Sequence, residues 1–135
     1  MELKVESKVG RLYGNDQRIY ALLSECSNLE QFKINEKVKN WEADRDFCRF
    51  TVDGAGDVTI RVVERHPNDL IKFSIVNAQA ENIFLWIQLK NVSPGDTRIK
   101  LTTKLDVNPM LKMLISKPLK QGLDKIVDTL ENIGR

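Results

Sequence analysis

The chain has 135 residues, of which 41% are hydrophobic and 30% are charged, and its formal net charge is +2 at pH 7. This length is typical of one domain, here residues 1–135, which buries about two-thirds of the surface of its unfolded chain. Lysine and arginine are mixed with aspartate and glutamate, so the sequence presents no basic face for nucleic acid and no polybasic membrane tag.

The N-terminal stretch MELKVESKVGRLYG alternates apolar and polar residues and lacks the apolar segment of a signal peptide. The longest apolar run, residues 83–87, is too short to span a bilayer. Cys26 and Cys48 have neither CxxC nor metal-binding spacing. Two thiols without a secretion signal favour a reducing compartment, so we expect a cytoplasmic protein without stable membrane insertion.

A strand, followed by two short helices, is predicted at the start of the chain. Apolar and charged residues alternate over residues 3–9, which indicates a strand. Asn15 can cap the first helix. Ser27 and Glu30 match a capping box, which predicts a second helix with Phe32 on its apolar side.

Beyond residue 36 the apolar period changes to two, which is typical of strands. Six strands are predicted, at residues 37–44, 46–53, 56–65, 69–77, 82–92 and 97–107. Turn residues stand between several of them, at 54–56, 66–69 and 93–96. Strands connected this closely form an antiparallel meander, because parallel neighbours need long crossovers.

A long helix is predicted over residues 109–133, with Asn108 as N-cap and Pro109 in the first turn. Its apolar stripe consists of Leu111, Ile115, Leu119, Gly122, Ile126, Leu130 and Ile133. Charged residues are predicted to lie mostly away from it: Lys117, Lys120, Asp124, Asp128 and Glu131. Pro118 predicts a kink, with two separate short helices as the alternative. Gly122 indicates either a close contact between helix and strand, which spacing alone favours, or a hollow.

The strands keep one apolar face, and the other face carries mainly lysine, arginine and glutamine. The residues of the apolar faces are Phe50, Val52, Ile60, Val62, Phe73, Ile75, Leu85, Ile87, Leu101 and Leu105, with Thr103 as a polar exception. The elements therefore predict an α+β fold, in the order β-α-α-β6-α, with helices against one face of a seven-stranded antiparallel sheet.

This order of elements resembles the helix-grip fold of the SRPBCC superfamily. That group includes START lipid-transfer domains, birch-pollen-allergen-like proteins and polyketide cyclase/dehydrase-like bacterial proteins. The stretches that carry the resemblance are NDQRIYALLSECSNLEQF, VTIRVVERHPNDLIKFS, FLWIQL and LTTKLDVNPMLKMLISKPLKQGLDKI. The resemblance implies a curved sheet that grips a long helix, kinked near Pro118, and leaves a cavity between them. It therefore favours the hollow at Gly122.

The implied function is the binding or transport of a small hydrophobic ligand that is lipid-, polyketide- or isoprenoid-like. The residues expected around this ligand are Phe32, Phe50, Val52, Ile60, Val62, Phe73, Ile75, Leu85, Ile87, Leu101, Thr103, Met110, Leu114, Leu119, Gly122 and Leu123. No cofactor or metal is expected, because the sequence has no phosphate loop, zinc spacing or dinucleotide fingerprint. No catalytic residue is assigned, since the only histidine, His66, falls in a predicted turn.

Two alternatives stay open at this point. One is a polyketide cyclase/dehydrase-like enzyme. The other is a protein-interaction module of the co-chaperone kind, suggested by Phe84 and Trp86 on the outer sheet face. Local cover from lysine and arginine stems explains these aromatics, and so does a contact surface for a second copy of the chain.

Overall fold

The computed structural model describes residues 1–28, 38–78 and 80–132 of the chain. Within them, eight strands form one curved antiparallel sheet, accompanied by two α-helices. The strands are β1 Glu2–Glu6, β2 Gly10–Tyr13, β3 Val38–Ala43, β4 Phe47–Val52, β5 Gly56–His66, β6 Leu70–Asn77, β7 Ala80–Ser93 and β8 Asp96–Asp106. The helices are α1 Asp16–Leu23 and α2 Pro109–Glu131.

The strand order in the sheet is β1-β8-β7-β6-β5-β4-β3, with β2 also paired to β8. From β3 to β8 each strand pairs with its successor, which confirms the predicted meander. Tight turns make this possible; at the β7–β8 turn Gly95 takes a φ of 73°, which glycine adopts without strain. The N-terminal strands complete the sheet by pairing with the last strand, so the predicted α+β arrangement is confirmed.

The predicted first strand is in fact two strands on the same edge of β8. Ser7 still pairs with β8, because its N–H donates to the carbonyl of Leu101 and its hydroxyl accepts from the Leu101 N–H, both at 2.8 Å. The chain then leaves the ladder, and Val9 is 62% exposed rather than in the core. Period-two alternation continues through this break, which is why the sequence does not reveal it.

Helix α2 begins as predicted and is continuous. The side chain of Asn108 accepts a hydrogen bond from the Leu111 N–H at 2.8 Å, and Pro109 is the first helical residue. The helix runs through Pro118 to Glu131, so the alternative of two separate short helices is wrong. The bend near Pro118 stays a prediction.

The second half of α2 packs on β1, β2 and β8. Its buried side chains are Leu123, Val127 and Leu130. Two carboxylates that were predicted to lie away from the sheet instead bind its edge: Asp124 accepts the N–H of Lys8 at 2.7 Å, and Glu131 accepts the N–H of Arg11 at 2.9 Å. They satisfy backbone donors at this edge of the sheet, one between β1 and β2 and one in β2. The Lys8 N–H also holds the pKa of Asp124 below its ordinary value.

Helix α1 is capped by Asn15, whose side chain accepts the Arg18 N–H at 2.8 Å, as predicted. Residues 26–28 have 3-10 conformation after it. The predicted second helix, with Glu30 and Phe32, lies outside the described residues.

Candidate functional site

The apolar faces of the strands line up across the sheet. In one row Val62 stands opposite Phe73, Phe73 opposite Leu85, and Leu85 opposite Thr103. Paired residues point to the same side of a sheet, so these side chains share the face on which α2 lies, here called the concave face. A neighbouring row contains Cys48, Ile60, Ile75 and Ile83. The predicted assignment of strand faces is therefore confirmed at these positions.

The predicted ligand-binding residues differ in how much of each is exposed. Some lie in the packed core: Phe73, Ile87, Leu101, Thr103 and Leu123. A larger set is only partly buried: Phe50, Val52, Ile60, Val62, Ile75, Leu85, Leu119 and Gly122. Met110 and Leu114, in the first turns of α2, are 75% and 67% exposed. Phe32 lies outside the described residues. Contact of any of them with a ligand stays a prediction.

Gly122 has open space beside it. A Cβ atom added at this position meets nothing within 4 Å, so the close helix–strand contact that spacing favoured is wrong here. That contact occurs at Gly10 of β2 instead, where an added Cβ overlaps Cγ1 of Val127 and comes within 3.1 Å of Cγ2 of Ile99. The sequence signal was a glycine inside a strand pattern, which often marks a close backbone approach.

Polar side chains on the concave face are mostly engaged with the protein itself. The hydroxyl of Thr103 donates to the carbonyl of Phe84 at 2.8 Å. Arg65, which sequence reasoning did not single out, donates to the carbonyls of Ser24 and Arg45 and to the carboxylate of Asp46, at 2.9–3.2 Å. A β-bulge after Val62 shifts the register of β5 and pairs Arg65 with Ile71 on the concave face. Its guanidinium therefore ties the end of α1 to the β3–β4 turn.

The two cysteines are free, fully buried and in contact with each other. The N–H of Cys26 donates to the Arg45 carbonyl at 3.0 Å, which holds the turn after α1 against the sheet. The hydrogen bond with Cys26, together with burial, raises the pKa of the Cys48 thiol. Cys48 thus behaves as the small buried hydrophobe that the sequence suggested.

Trp41 of β3 also lies at this face, and sequence reasoning missed it. Its ring stacks on Phe50, with ring centroids 5.0 Å apart and an interplanar angle of 9°. The only signal available from the sequence was an aromatic residue in a short, mostly polar strand. Both rings pack against the hydrophobic core without being fully buried.

The outer face carries the predicted aromatic pair under a cover of lysines. Lys72 Nζ lies 4.6 Å from the ring centroid of Phe84 and 5.2 Å from that of Trp86, and Lys104 Nζ lies 5.7 Å from Trp86. A groove of about 310 Å³ adjoins Trp86, lined by Lys4, Glu6, Gln88, Lys100, Thr102 and Lys104. Local lysine cover therefore accounts for the aromatics, and a homodimer through this face stays a prediction.

His66 ends β5, where its ring is 3.2 Å from the carboxylate of Glu64 and half-exposed. Among the residues that the structure describes, no group of His, Cys, Asp and Glu could hold a metal ion. Neither of the two described helices is long and apolar enough to cross a membrane.

No family model matches the chain, and no curated protein matches it in sequence. Solved structures do resemble it. A truncated norcoclaurine synthase from Thalictrum flavum has a TM-score of 0.77 at 12% identity, covering 98% of this chain and 93% of its own. A START superfamily protein from Mycobacterium smegmatis has a TM-score of 0.67 at 14% identity, covering 96% and 98%. A conserved protein from Geobacillus kaustophilus has a TM-score of 0.72 at 14% identity, covering 97% and 93%.

At these identities the likeness concerns the fold. The order of strands and helices, the single curved sheet and the long C-terminal helix all agree with the helix-grip fold. The chain therefore has the helix-grip fold, which it shares with START superfamily proteins and norcoclaurine synthase.

Proposed function

We propose that this protein binds and carries a small hydrophobic molecule between the concave face of the sheet and the first half of α2. The supporting observation is that an apolar face is covered unequally. Leu123, Val127 and Leu130 close one end of it against β1, β2 and β8. Farther along the same face, Ile60 and Leu85 stay partly exposed although they belong to rows of mostly apolar side chains.

Partly exposed apolar side chains on an inner face favour a ligand for a simple reason. Each square ångström of apolar surface removed from water contributes about 25 cal/mol of favourable free energy. A ligand that covers several of these side chains is therefore stabilised by the apolar area that it buries. The open space beside Gly122 adds room on the helix side. Small-molecule sites are mostly apolar with few polar groups, and the composition of this face fits that description.

The chemistry of the face suits a lipid-, polyketide- or isoprenoid-like molecule. The same fold holds small ring compounds in norcoclaurine synthase, which has been solved with dopamine and hydroxybenzaldehyde. In this chain, the hydroxyl of Thr103 and the guanidinium of Arg65 already donate to protein carbonyls. Apolar contact is therefore the main source of affinity in this proposal.

Two adjacent residues of β6 provide a matched test. Ile75 lies on the concave face between Ile60 and Ile83, whereas Val76 is 67% exposed on the outer face. Binding of the neutral fluorescent probe N-phenyl-1-naphthylamine is measured for the wild type, Ile75→Trp and Val76→Trp. We expect Ile75→Trp to abolish binding by filling the site, and Val76→Trp to bind as the wild type does.

Urea unfolding of the same variants separates a hollow from a solid core. A larger side chain in a packed core costs roughly 1–3 kcal/mol, whereas one that enters a hollow costs less. Absence of probe binding by the wild type, together with a large loss of stability in Ile75→Trp, would show that the face is a closed core and would refute the carrier function.

A further inference from the structure

Three large apolar side chains at the start of α2 face solvent. Met110, Met113 and Leu114 are 75%, 85% and 67% exposed. The two methionines are the most exposed large hydrophobic residues in the described part of the chain. Their spacing of three and four residues places the three side chains together on one face of the helix. Helix α2 therefore presents a contiguous apolar surface, here called the methionine patch.

The packing of α2 on the sheet does not account for the methionine patch. In the same turns of the helix, Leu111, Ile115 and Leu119 are the residues that pack against the hydrophobic core. The patch lies on another side of the helix, where it covers no part of the core. A single exposed apolar residue is normal, whereas a contiguous exposed cluster usually marks an interaction site.

The segment that carries the patch is positively charged. Residues 107–123 contain no aspartate or glutamate, and their charged residues are Lys112, Lys117 and Lys120. Lys117 is exposed and comes four residues after Met113, so it borders the patch. Lys120 donates to the carboxylate of Asp124 at 3.1 Å. Lys117 therefore places a positive charge beside the patch, in a segment without any carboxylate of its own.

Apolar side chains bordered by lysine match the surface of an anionic phospholipid bilayer. A helix in the membrane interface buries its apolar face about 5–10 Å deep, and its lysines attract anionic headgroups. The long lysine stem lies along apolar groups while its ammonium stays among the phosphates. A second copy of the chain fits this surface less well. A two-fold contact brings Lys117 toward its own counterpart, and three side chains cover far less than the about 800 Å² per partner of a stable interface.

We propose that the methionine patch and Lys117 dock this protein reversibly on membranes that contain anionic phospholipids, with the first turns of α2 in the interface. Docking of this kind needs no membrane-spanning helix, and neither described helix could provide one. The inference does not rest on the proposed carrier function, because the patch lies away from the core-facing side of α2 and its tests use no ligand of the concave face.

Sedimentation with sucrose-loaded vesicles measures the docking. We expect the wild type to bind vesicles of phosphatidylcholine and phosphatidylglycerol more tightly than vesicles of phosphatidylcholine alone. On the mixed vesicles, Met113→Gln is expected to weaken binding by about tenfold, and Lys117→Glu by at least about fivefold.

Two exposed residues outside the patch provide matched controls. Val76→Gln removes an apolar side chain that is 67% exposed on the outer face of β6. Lys125→Glu makes the same change of net charge as Lys117→Glu, about two turns farther along α2. Both controls are expected to bind the mixed vesicles as the wild type does. All four positions are exposed, so the variants are expected to keep the circular dichroism of the wild type.

A tryptophan reporter shows which part of the protein enters the interface. Met113→Trp and Val76→Trp are mixed with vesicles that contain brominated phosphatidylcholine, which quenches tryptophan emission on contact. Relative to the wild type, we expect additional quenching for Met113→Trp and none for Val76→Trp.

Three results would overturn the proposal. The first is a wild type that does not bind the mixed vesicles. The second is equal vesicle binding by Met113→Gln and Val76→Gln. The third is a wild-type dimer in sedimentation equilibrium that Met113→Gln dissociates, because the patch would then be a contact between two copies of the chain.

Discussion

Two glycines at opposite ends of the helix–sheet contact are expected to respond to the same substitution with opposite signs. Gly10 of β2 faces Val127, which is fully buried in α2, and a methyl group there overlaps Cγ1 of that side chain. Gly122 of α2 has nothing within 4 Å of an added Cβ. The change from glycine to alanine is therefore one perturbation placed in two environments.

The magnitudes follow from the two sites. At Gly122, alanine improves helix propensity by up to about 1 kcal/mol and meets no clash, so the free energy of unfolding rises. At Gly10, the added methyl group meets the short branched side chain of Val127, which is fully buried, and overpacking costs roughly 1–3 kcal/mol. We expect the two variants to differ by about 1–4 kcal/mol in unfolding free energy.

Equilibrium urea unfolding of the wild type, Gly10→Ala and Gly122→Ala measures this difference. Gly122→Leu extends the test, because its longer side chain enters the open space. We expect it to keep the stability of the wild type while binding of N-phenyl-1-naphthylamine falls. A destabilised Gly122→Ala, or a Gly10→Ala as stable as the wild type, would contradict this account of how α2 lies on the sheet.

Two further predictions concern the groups that hold α1 against the sheet. Arg65→Met leaves two carbonyls without their donor, so we expect urea unfolding to show a loss of about 1–3 kcal/mol in unfolding free energy. Arg61→Met is the control, because Arg61 lies on the outer face of the same strand with its guanidinium 5.6 Å from the ring centroid of Phe47. We expect this control to lose at most about 1 kcal/mol. An equal loss in both variants would remove the special role of Arg65. Because Cys26 and Cys48 are fully buried, we expect Ellman's reagent to react with them only as slowly as the protein opens, and to titrate both quickly in urea; fast reaction of the folded protein would show that the turn after α1 is open.

Much of the fold follows from local signals along the chain. Asn15 and Asn108 cap their helices as predicted, because a cap depends on residues three positions away. The meander from β3 to β8 follows from period-two alternation and turn residues, which act over a few neighbours. The concave face could therefore be assigned before any distance was known, since side chains alternate along each strand.

The candidate site depended on contacts that no local pattern carries. The sequence predicts Asp124 to lie away from the sheet, yet its carboxylate accepts the N–H of Lys8, which is 116 positions away in the chain. The side chain of Trp41 lies on the concave face only because of the bulge at Asn40, and a bulge reverses the alternation from which faces are inferred. The sequence offers both a glycine on the helix stripe and a glycine in a strand as places for a close approach, and it does not say which of them makes one. Only the tertiary packing distinguishes the two glycines. Gly10 lies against Val127 of α2, whereas Gly122 has open space beside it, and this difference depends on which atoms from distant parts of the chain lie next to each glycine.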